Sequence, residues 1–96
     1  MSLKDKYDLS DLKNDAEELV FAELEEVLEE KGSSVCQCDE CVLDMICLSL
    51  NHVKPRYRVS LMGSLYTRVD DPDTRNQVEK AVRKAVEIVG TNPSHD

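Results

Sequence analysis

Residues 36–47 of this 96-residue chain read CQCDECVLDMIC, which places all four cysteines of the protein in one short segment. The first three are close enough along the chain for a loop to fold around a single ion. Clustered cysteines in a chain without a secretion signal are more often metal ligands than disulfides. Soft thiolates favour zinc, with an iron–sulfur cluster as the lesser alternative. We therefore predict a Zn²⁺ site built on Cys36, Cys38 and Cys41.

The spacing leaves the fourth zinc ligand open, with Cys47 as the first candidate. Cys47 follows Cys41 by about 9 Å of helix axis, so it can join the site only if the helix begins after Cys41 or bends. Otherwise Cys47 is a small core residue, as free cysteines often are. Asp44, which shares a helix face with Cys41, and His52 are the other candidates.

Amphipathic helices are predicted on both sides of the cysteine loop, which spans residues 33–40. The first helix covers about residues 11–31, with Ser10 or Asn14 as its cap and Gly32 as its end. Its apolar positions recur every three or four residues: Leu12, Ala16, Leu19, Val20, Leu24, Val27 and Leu28. The second helix covers about residues 41–53, before Pro55. Its predicted apolar side consists of Leu43, Ile46, Leu50 and Val53.

A β-hairpin and a third helix are predicted after Pro55. The strands are residues 57–62 and 65–69, and Gly63-Ser64 between them suits a type II′ turn. The helix covers residues 72–89, begins at an Asp71-Pro72 cap and ends at Gly90. Its apolar stripe consists of Val78, Ala81, Val82, Ala85, Val86 and Val89.

These elements predict a small, helix-rich α+β domain over residues 11–90 that is stapled by zinc. Their order is helix, cysteine loop, helix, β-hairpin, helix. Residues 1–10 and 91–96 are predicted to be flexible. The hairpin has apolar residues on both faces, more than a thin helical layer covers, so we expect a homodimer.

The charge balance excludes several classes of partner. Twenty acidic and 12 basic residues give a net charge of −8, which argues against binding to nucleic-acid polymers or to anionic membrane surfaces. No apolar run approaches the roughly 20 residues of a transmembrane helix. The charged N-terminus lacks the apolar segment of a secretion signal. We therefore expect a cytoplasmic protein.

One basic segment interrupts this acidic chain, residues 54–68, which have four basic side chains and no acidic one. Arginines bind phosphates, and arginine or tyrosine planes stack on purines. The candidate ligand-binding residues are Lys54, Arg56, Tyr57, Arg58 and Arg68. Arg56 is expected to be exposed, whereas the Tyr57 ring is expected to pack partly in the core. The alternative is that this segment is a solvated surface that pairs with the acidic helices.

The sequence around the cysteines resembles the late competence development protein ComFB family over about residues 16–90. The resemblance consists of a C-x-C-x2-C-x2-D motif, a later L-N pair and a P-R-Y motif. The matching residues are Cys36, Cys38, Cys41, Asp44, Leu50, Asn51, Pro55, Arg56 and Tyr57, followed by Gly63, Tyr66 and Thr67. Two positions depart from the pattern: Cys47 stands where a small residue such as alanine is expected, and Arg58 stands where valine is usual.

The resemblance implies a small cytosolic bacterial protein that contains zinc, forms homodimers and is encoded among genes for DNA uptake. It implies no enzymatic activity, and the sequence itself shows no Cys-His or Ser-His-Asp pattern. Some relatives look like receptors for cyclic dinucleotides. Two functions are therefore expected: a zinc-stapled regulatory module that docks on an unknown protein partner, or a cyclic di-AMP or cyclic di-GMP receptor that uses the basic segment. Redox sensing by exposed thiolates is a third, weaker alternative.

Overall fold

The computed structural model describes residues 2–59 and 72–93. In chain order the elements are α1 (Leu3–Lys6), β1 (Lys13–Asn14), α2 (Asp15–Lys31), a 3-10 turn (Gly32–Ser34), α3 (Asp39–Leu50), β2 (Tyr57–Arg58) and α4 (Pro72–Thr91). The predicted helix-rich α+β class is confirmed. Most of the predicted hairpin, with its Gly63-Ser64 turn, and the Asp71 cap lie outside the described residues.

The start of α2 differs from the prediction of a helix from residue 11. Asn14 has extended backbone angles, and its side-chain oxygen accepts a hydrogen bond from the Ala16 N–H at 3.1 Å. Asn14 is therefore the cap, in preference to Ser10, and the helix begins at Asp15. The extended residues before it form β1, which pairs antiparallel with β2: Lys13 lies opposite Arg58, and Asn14 opposite Tyr57.

The core lies between α2, α3 and α4, and each of these helices packs against the other two. The whole predicted apolar stripe of α4 is buried. From α2 the buried residues include Ala16, Val20, Leu24 and Val27. The prediction that Leu12 belongs to the apolar stripe of α2 is wrong, because Leu12 precedes the helix and is 48% exposed.

The predicted apolar side of α3 is confirmed in part: Ile46 and Leu50 pack against the core and Val53, just beyond the helix, is buried, but Leu43 is not. Cys41, Met45 and Ser49 are buried at four-residue intervals. Leu43 is 64% exposed, because two residues turn a helix by about 200° and place it opposite Cys41. The buried Ser49 hydroxyl donates to the Met45 carbonyl at 2.7 Å, which satisfies its hydrogen-bonding need inside the core.

Two helix ends differ from the prediction, since α3 ends at Leu50 and not at residue 53, and α4 continues through Gly90 to Thr91. Local signals set other ends. Gly32 ends α2 with a φ of 53°, a conformation that glycine adopts without strain, and its N–H donates to the Leu28 carbonyl. Within the N-terminal segment that was predicted to be flexible, Ser2 caps the short helix α1. Among the described residues, no helix combines the length and the apolar content needed to cross a bilayer.

Candidate metal centre

Three cysteine sulfurs converge where the loop after α2 enters α3. The Sγ atoms of Cys36, Cys38 and Cys41 all lie within 4.8 Å of one another. A tetrahedral zinc ion with Zn–S bonds of about 2.3 Å holds its sulfurs about 4 Å apart. A small adjustment of these side chains would therefore bring three ligands into the geometry of a metal site.

The N-terminus of α3 positions two of these cysteines. Cys38 is the capping residue: its Sγ accepts a hydrogen bond from the Cys41 N–H at 3.5 Å, and its carbonyl accepts one from the Val42 N–H at 3.0 Å. Backbone N–H groups and the positive end of the helix dipole stabilise a thiolate at this place. The helix begins at Asp39, two residues earlier than predicted, so Cys41 lies inside its first turn.

The thiols of Cys36 and Cys41 differ in their affinity for protons. Hydrogen bonds from Cys38, first from its backbone N–H, hold the pKa of the Cys36 thiol below its usual value. Burial, followed by hydrogen bonds with Cys38 and Cys36, raises the pKa of Cys41 to about 12. Three adjacent sulfurs cannot all be negative without a compensating charge. A divalent cation would supply that charge and would bind the deprotonated thiolates.

Two residues that the sequence analysis missed, Gln37 and Val35, hold the cysteine loop against the helices. The Gln37 side-chain amide donates to the Leu28 carbonyl at 3.0 Å and to the Gly32 carbonyl at 2.8 Å, so it joins the loop to the C-terminal end of α2. On the other side, Val35 packs on Gly90 of α4, where an added Cβ would lie 3.3 Å from Val35 Cγ1. No sequence pattern signals either contact, because both depend on how the helices pack.

The candidates for a fourth ligand lie further along the chain. Cys47 is exposed on α3, and its Sγ accepts a hydrogen bond from Asn51 Nδ2 at 3.7 Å. Among the described residues the converging group contains Cys36, Cys38 and Cys41, and the structure does not bring Cys47 into it. The reason is that α3 begins before Cys41, so Cys47 stands almost two turns away along the helix.

Asp44 and His52 are placed differently from each other. Asp44 is half-buried and follows Cys41 by about one turn of α3. His52 is exposed beyond the end of α3, and its Nδ1 lies 3.0 Å from the Leu48 carbonyl oxygen.

The two described arginines of the basic segment are held by structural contacts. Arg58 Nε donates to both carboxylate oxygens of Asp15, at 2.8 and 3.0 Å, and Asp15 is only 8% exposed. The Arg56 guanidinium donates to the Thr74 hydroxyl, and its backbone N–H donates to Asn14 Oδ1 at 2.8 Å. The expectation that Arg56 is exposed is therefore wrong: it is half-buried.

The other ligand-binding candidates have fewer contacts. Lys54 has an exposed side chain, and its backbone N–H donates to Gln77 Oε1 at 3.0 Å. The Tyr57 ring, expected to pack partly in the core, is instead 58% exposed. Arg68 lies outside the described residues.

Comparison with known proteins identifies one family. A sequence model described as late competence development protein ComFB matches residues 13–93. The match runs from β1 through α4 and includes the three converging cysteines. No curated protein sequence matches the chain.

Proposed function

The chain belongs to the ComFB family of late competence development proteins, and from this premise we propose that it is a cytoplasmic, zinc-binding regulatory or interaction protein without enzymatic activity. The observation that carries the proposal is the convergence of the Cys36, Cys38 and Cys41 sulfurs within 4.8 Å. Thiolate ligands select zinc over calcium or magnesium. The converging group supplies three ligands; with a fourth protein ligand, a zinc ion has no open position for substrate and the site is structural.

The proposed role of the ion is to fix the cysteine loop to the buried first turn of α3, in addition to the contacts of Gln37 and Val35. Cys36 and Cys38 belong to the loop between α2 and α3, whereas Cys41 is buried in the core at 1% exposure. An ion bound to all three would fix the loop to the core. Its binding free energy would then add to the free energy of folding.

Metal analysis of the purified chain tests this proposal. We expect one zinc ion per chain in the wild type and loss of the metal in Cys38→Ser, together with a lower melting temperature. Cys47→Ser is the matched variant, because it makes the same chemical change on α3 outside the converging group. It should retain both the metal and the melting temperature if Cys47 is not the fourth ligand. A metal-free wild type with titratable thiols would contradict the proposal.

The absence of enzymatic activity and a homodimeric state are part of the same proposal. His52 Nδ1 lies 3.0 Å from the Leu48 carbonyl oxygen, and within residues 2–59 and 72–93 no hydrogen bond joins His52 to a thiol or hydroxyl that it could activate as a base. Large apolar side chains are exposed among the described residues, which supports an interface with a second copy or with another protein. Examples are Leu12, Phe21 and Leu43.

A second proposed function is a cyclic-dinucleotide receptor at the basic segment. The observation in its favour is the exposed Tyr57 ring, which is available to stack on a purine, next to the exposed Lys54. Arg58 is a poorer phosphate ligand than expected, because Asp15 already neutralises its charge.

Calorimetry with cyclic di-AMP and cyclic di-GMP tests the receptor proposal. Tyr57→Ala should weaken binding by about 1–3 kcal/mol, the usual effect of losing one base-stacking ring. Tyr7→Ala removes a ring of similar exposure, 56%, and should leave binding unchanged. No heat with either nucleotide would contradict the proposal.

A further inference from the structure

A shallow groove of about 280 Å³ lies between α3 and α4. Its apolar lining comes from Leu48 on α3 and from Ala81, Ala85 and Ile88 on α4. Leu48 follows Cys41 by about 10 Å along α3, so the groove is separate from the three converging cysteines, although His52, a candidate fourth ligand, also lines it. No step in the proposed zinc chemistry uses these residues.

The groove has a positive edge in an acidic protein. Lys80 and Lys84 line it one turn apart on α4, and both are exposed. Neither lysine forms an ion pair with any residue in the ranges 2–59 and 72–93. The whole chain has a net charge of −8, so the sign of this edge is opposite to that of the protein as a whole. Such a potential attracts an anionic partner and disfavours a basic one.

The shape of the groove suits a helix. Its α4 wall extends from Gln77 to Ile88, about 16 Å or three helical turns. Ala81 and Ala85 form the floor of the groove and are themselves buried, at 9% and 1% exposure, so a docked helix would contact chiefly Leu48 and Ile88. Ile88, which is 42% exposed, offers an apolar contact at one end. Grooves of this kind bind the apolar face of an amphipathic helix through side chains spaced at i, i+4 and i+7.

We propose that the groove between α3 and α4 docks an amphipathic helix of a partner protein, with its apolar face against Leu48 and Ile88 and acidic residues beside Lys80 and Lys84. The inference names the kind of partner for the proposed interaction protein and rests on that proposed function. It does not depend on the metal.

The test uses a fluorescent synthetic helix of about four turns, with leucines at i, i+4 and i+7 and glutamates beside them. Anisotropy is measured with the full chain, and a peptide with lysines in place of the glutamates is the charge control. We expect the acidic peptide to bind and the basic one not to bind. The double substitution Lys80→Glu and Lys84→Glu should weaken binding at least about tenfold, since it reverses both charges beside the bound helix.

A matched variant distinguishes the effect of the charges beside the groove from the effect of the protein's net charge on peptide binding. Lys4→Glu with Lys6→Glu makes the same charge change on the exposed helix α1 and should leave binding within about twofold, because it leaves the groove intact. Ile88→Asp should weaken binding as strongly as the groove charge reversal. Circular dichroism checks that each variant is folded.

The inference would be overturned if the acidic peptide did not bind, or if the two charge-reversed variants bound it equally well. It would also be overturned if the peptide did not bind and a wild-type dimer dissociated on Lys80→Glu with Lys84→Glu. The last would make the groove a contact between two copies of this chain. Zinc content is measured on the same samples. Peptide binding by a metal-free chain would support the groove and contradict the zinc proposal, whereas a zinc-loaded chain that ignores the peptide would contradict the groove alone.

Discussion

Cys41 shows how one residue links the core to the candidate metal centre. It is 1% exposed and belongs to the same buried face of α3 as Met45, yet its sulfur also meets those of Cys36 and Cys38. A buried thiol among other thiols favours the protonated form, which raises the pKa of Cys41 to about 12. Deprotonation of Cys41 at alkaline pH should therefore lower the stability of the metal-free protein.

We predict that the metal-free protein loses stability as the pH rises. The folded-state pKa of Cys41 is raised to about 12, whereas an unfolded thiol has a pKa of about 8.5. The unfolded chain thus releases this proton first. The stabilising contribution is complete below the unfolded pKa and is lost as the pH rises towards the folded one. Denaturation by urea under reducing conditions, at about pH 8 and about pH 10, measures the difference.

Cys41→Ala is the control for this pH dependence. It removes the titrating thiol, so the decrease in the free energy of unfolding between the two pH values should be smaller in the variant. An equal decrease in wild type and variant would assign the pH dependence to other groups.

At the scale of elements, the junction of β1 and α2 fastens the segment after α3 to the rest of the fold. Asn14 caps α2 and also accepts the Arg56 N–H, while the Asp15 N–H donates to the Arg56 carbonyl at 2.8 Å. Arg58 adds the ion pair with Asp15. These contacts explain why two strands of only two residues each form a stable pair.

Asn14→Ala should destabilise the protein by about 1–2 kcal/mol, because it removes the helix cap and leaves the Arg56 N–H without its acceptor. Ser10→Ala, at the other position that the sequence allowed as a cap, should change stability by less than about 0.5 kcal/mol. Thermal and urea denaturation compare the two variants. A larger loss in Ser10→Ala would contradict the observed start of α2.

The Asp15–Arg58 pair should contribute more than the exposed pair of the same chemistry. Asp15→Asn leaves the Arg58 charge, whose side chain is 30% exposed, without its counterion. The expected loss is about 1–3 kcal/mol, less than for a fully buried pair. In the matched variant, Glu30→Gln breaks the Arg83–Glu30 pair, in which the side chains are 54% and 59% exposed. Its loss should stay below about 1 kcal/mol. Equal losses in both variants would show that burial does not strengthen the first pair.

At the scale of the whole molecule, the fold is a thin core that leaves apolar surface outside it. Three helices enclose the core, yet Leu43 on α3 is 64% exposed and Phe21 on α2 is 40% exposed. Small domains often gain stability from a bound metal or from a partner subunit. The candidate metal centre would provide the first kind of stabilisation, and an interface that covers Leu43 and Phe21 would provide the second.

We predict a homodimer in solution. Multi-angle light scattering at micromolar concentration should give twice the chain mass of 10.9 kDa, because association covers exposed apolar residues. Dilution should shift the mass towards that of one chain if the affinity is moderate. A single species of one-chain mass at every concentration would contradict the prediction.

The sequence by itself determined the features that depend on neighbours along the chain. The apolar repeat of α4, the end of α2 at Gly32 and the two candidate caps, Asn14 and Ser10, all arise within a few residues, although the structure decided between the caps. Turn and helix energetics act over that distance. The spacing of Cys36, Cys38 and Cys41 likewise brought the candidate ligands together, because a loop of so few residues closes at small entropic cost.

Only the tertiary structure decided which surfaces meet. Arg58 contacts Asp15 across 43 residues of chain. Tyr57 pairs with Asn14 of β1, a strand in a segment that the apolar repeat had predicted as part of the first helix. The buried face of α3 follows Cys41 and not Leu43, since packing against α2 and α4 selects which of two apolar faces is covered. The groove beside Lys80 and Lys84 exists for the same reason. Such contacts depend on the relative placement of whole helices, for which local periodicity carries no information.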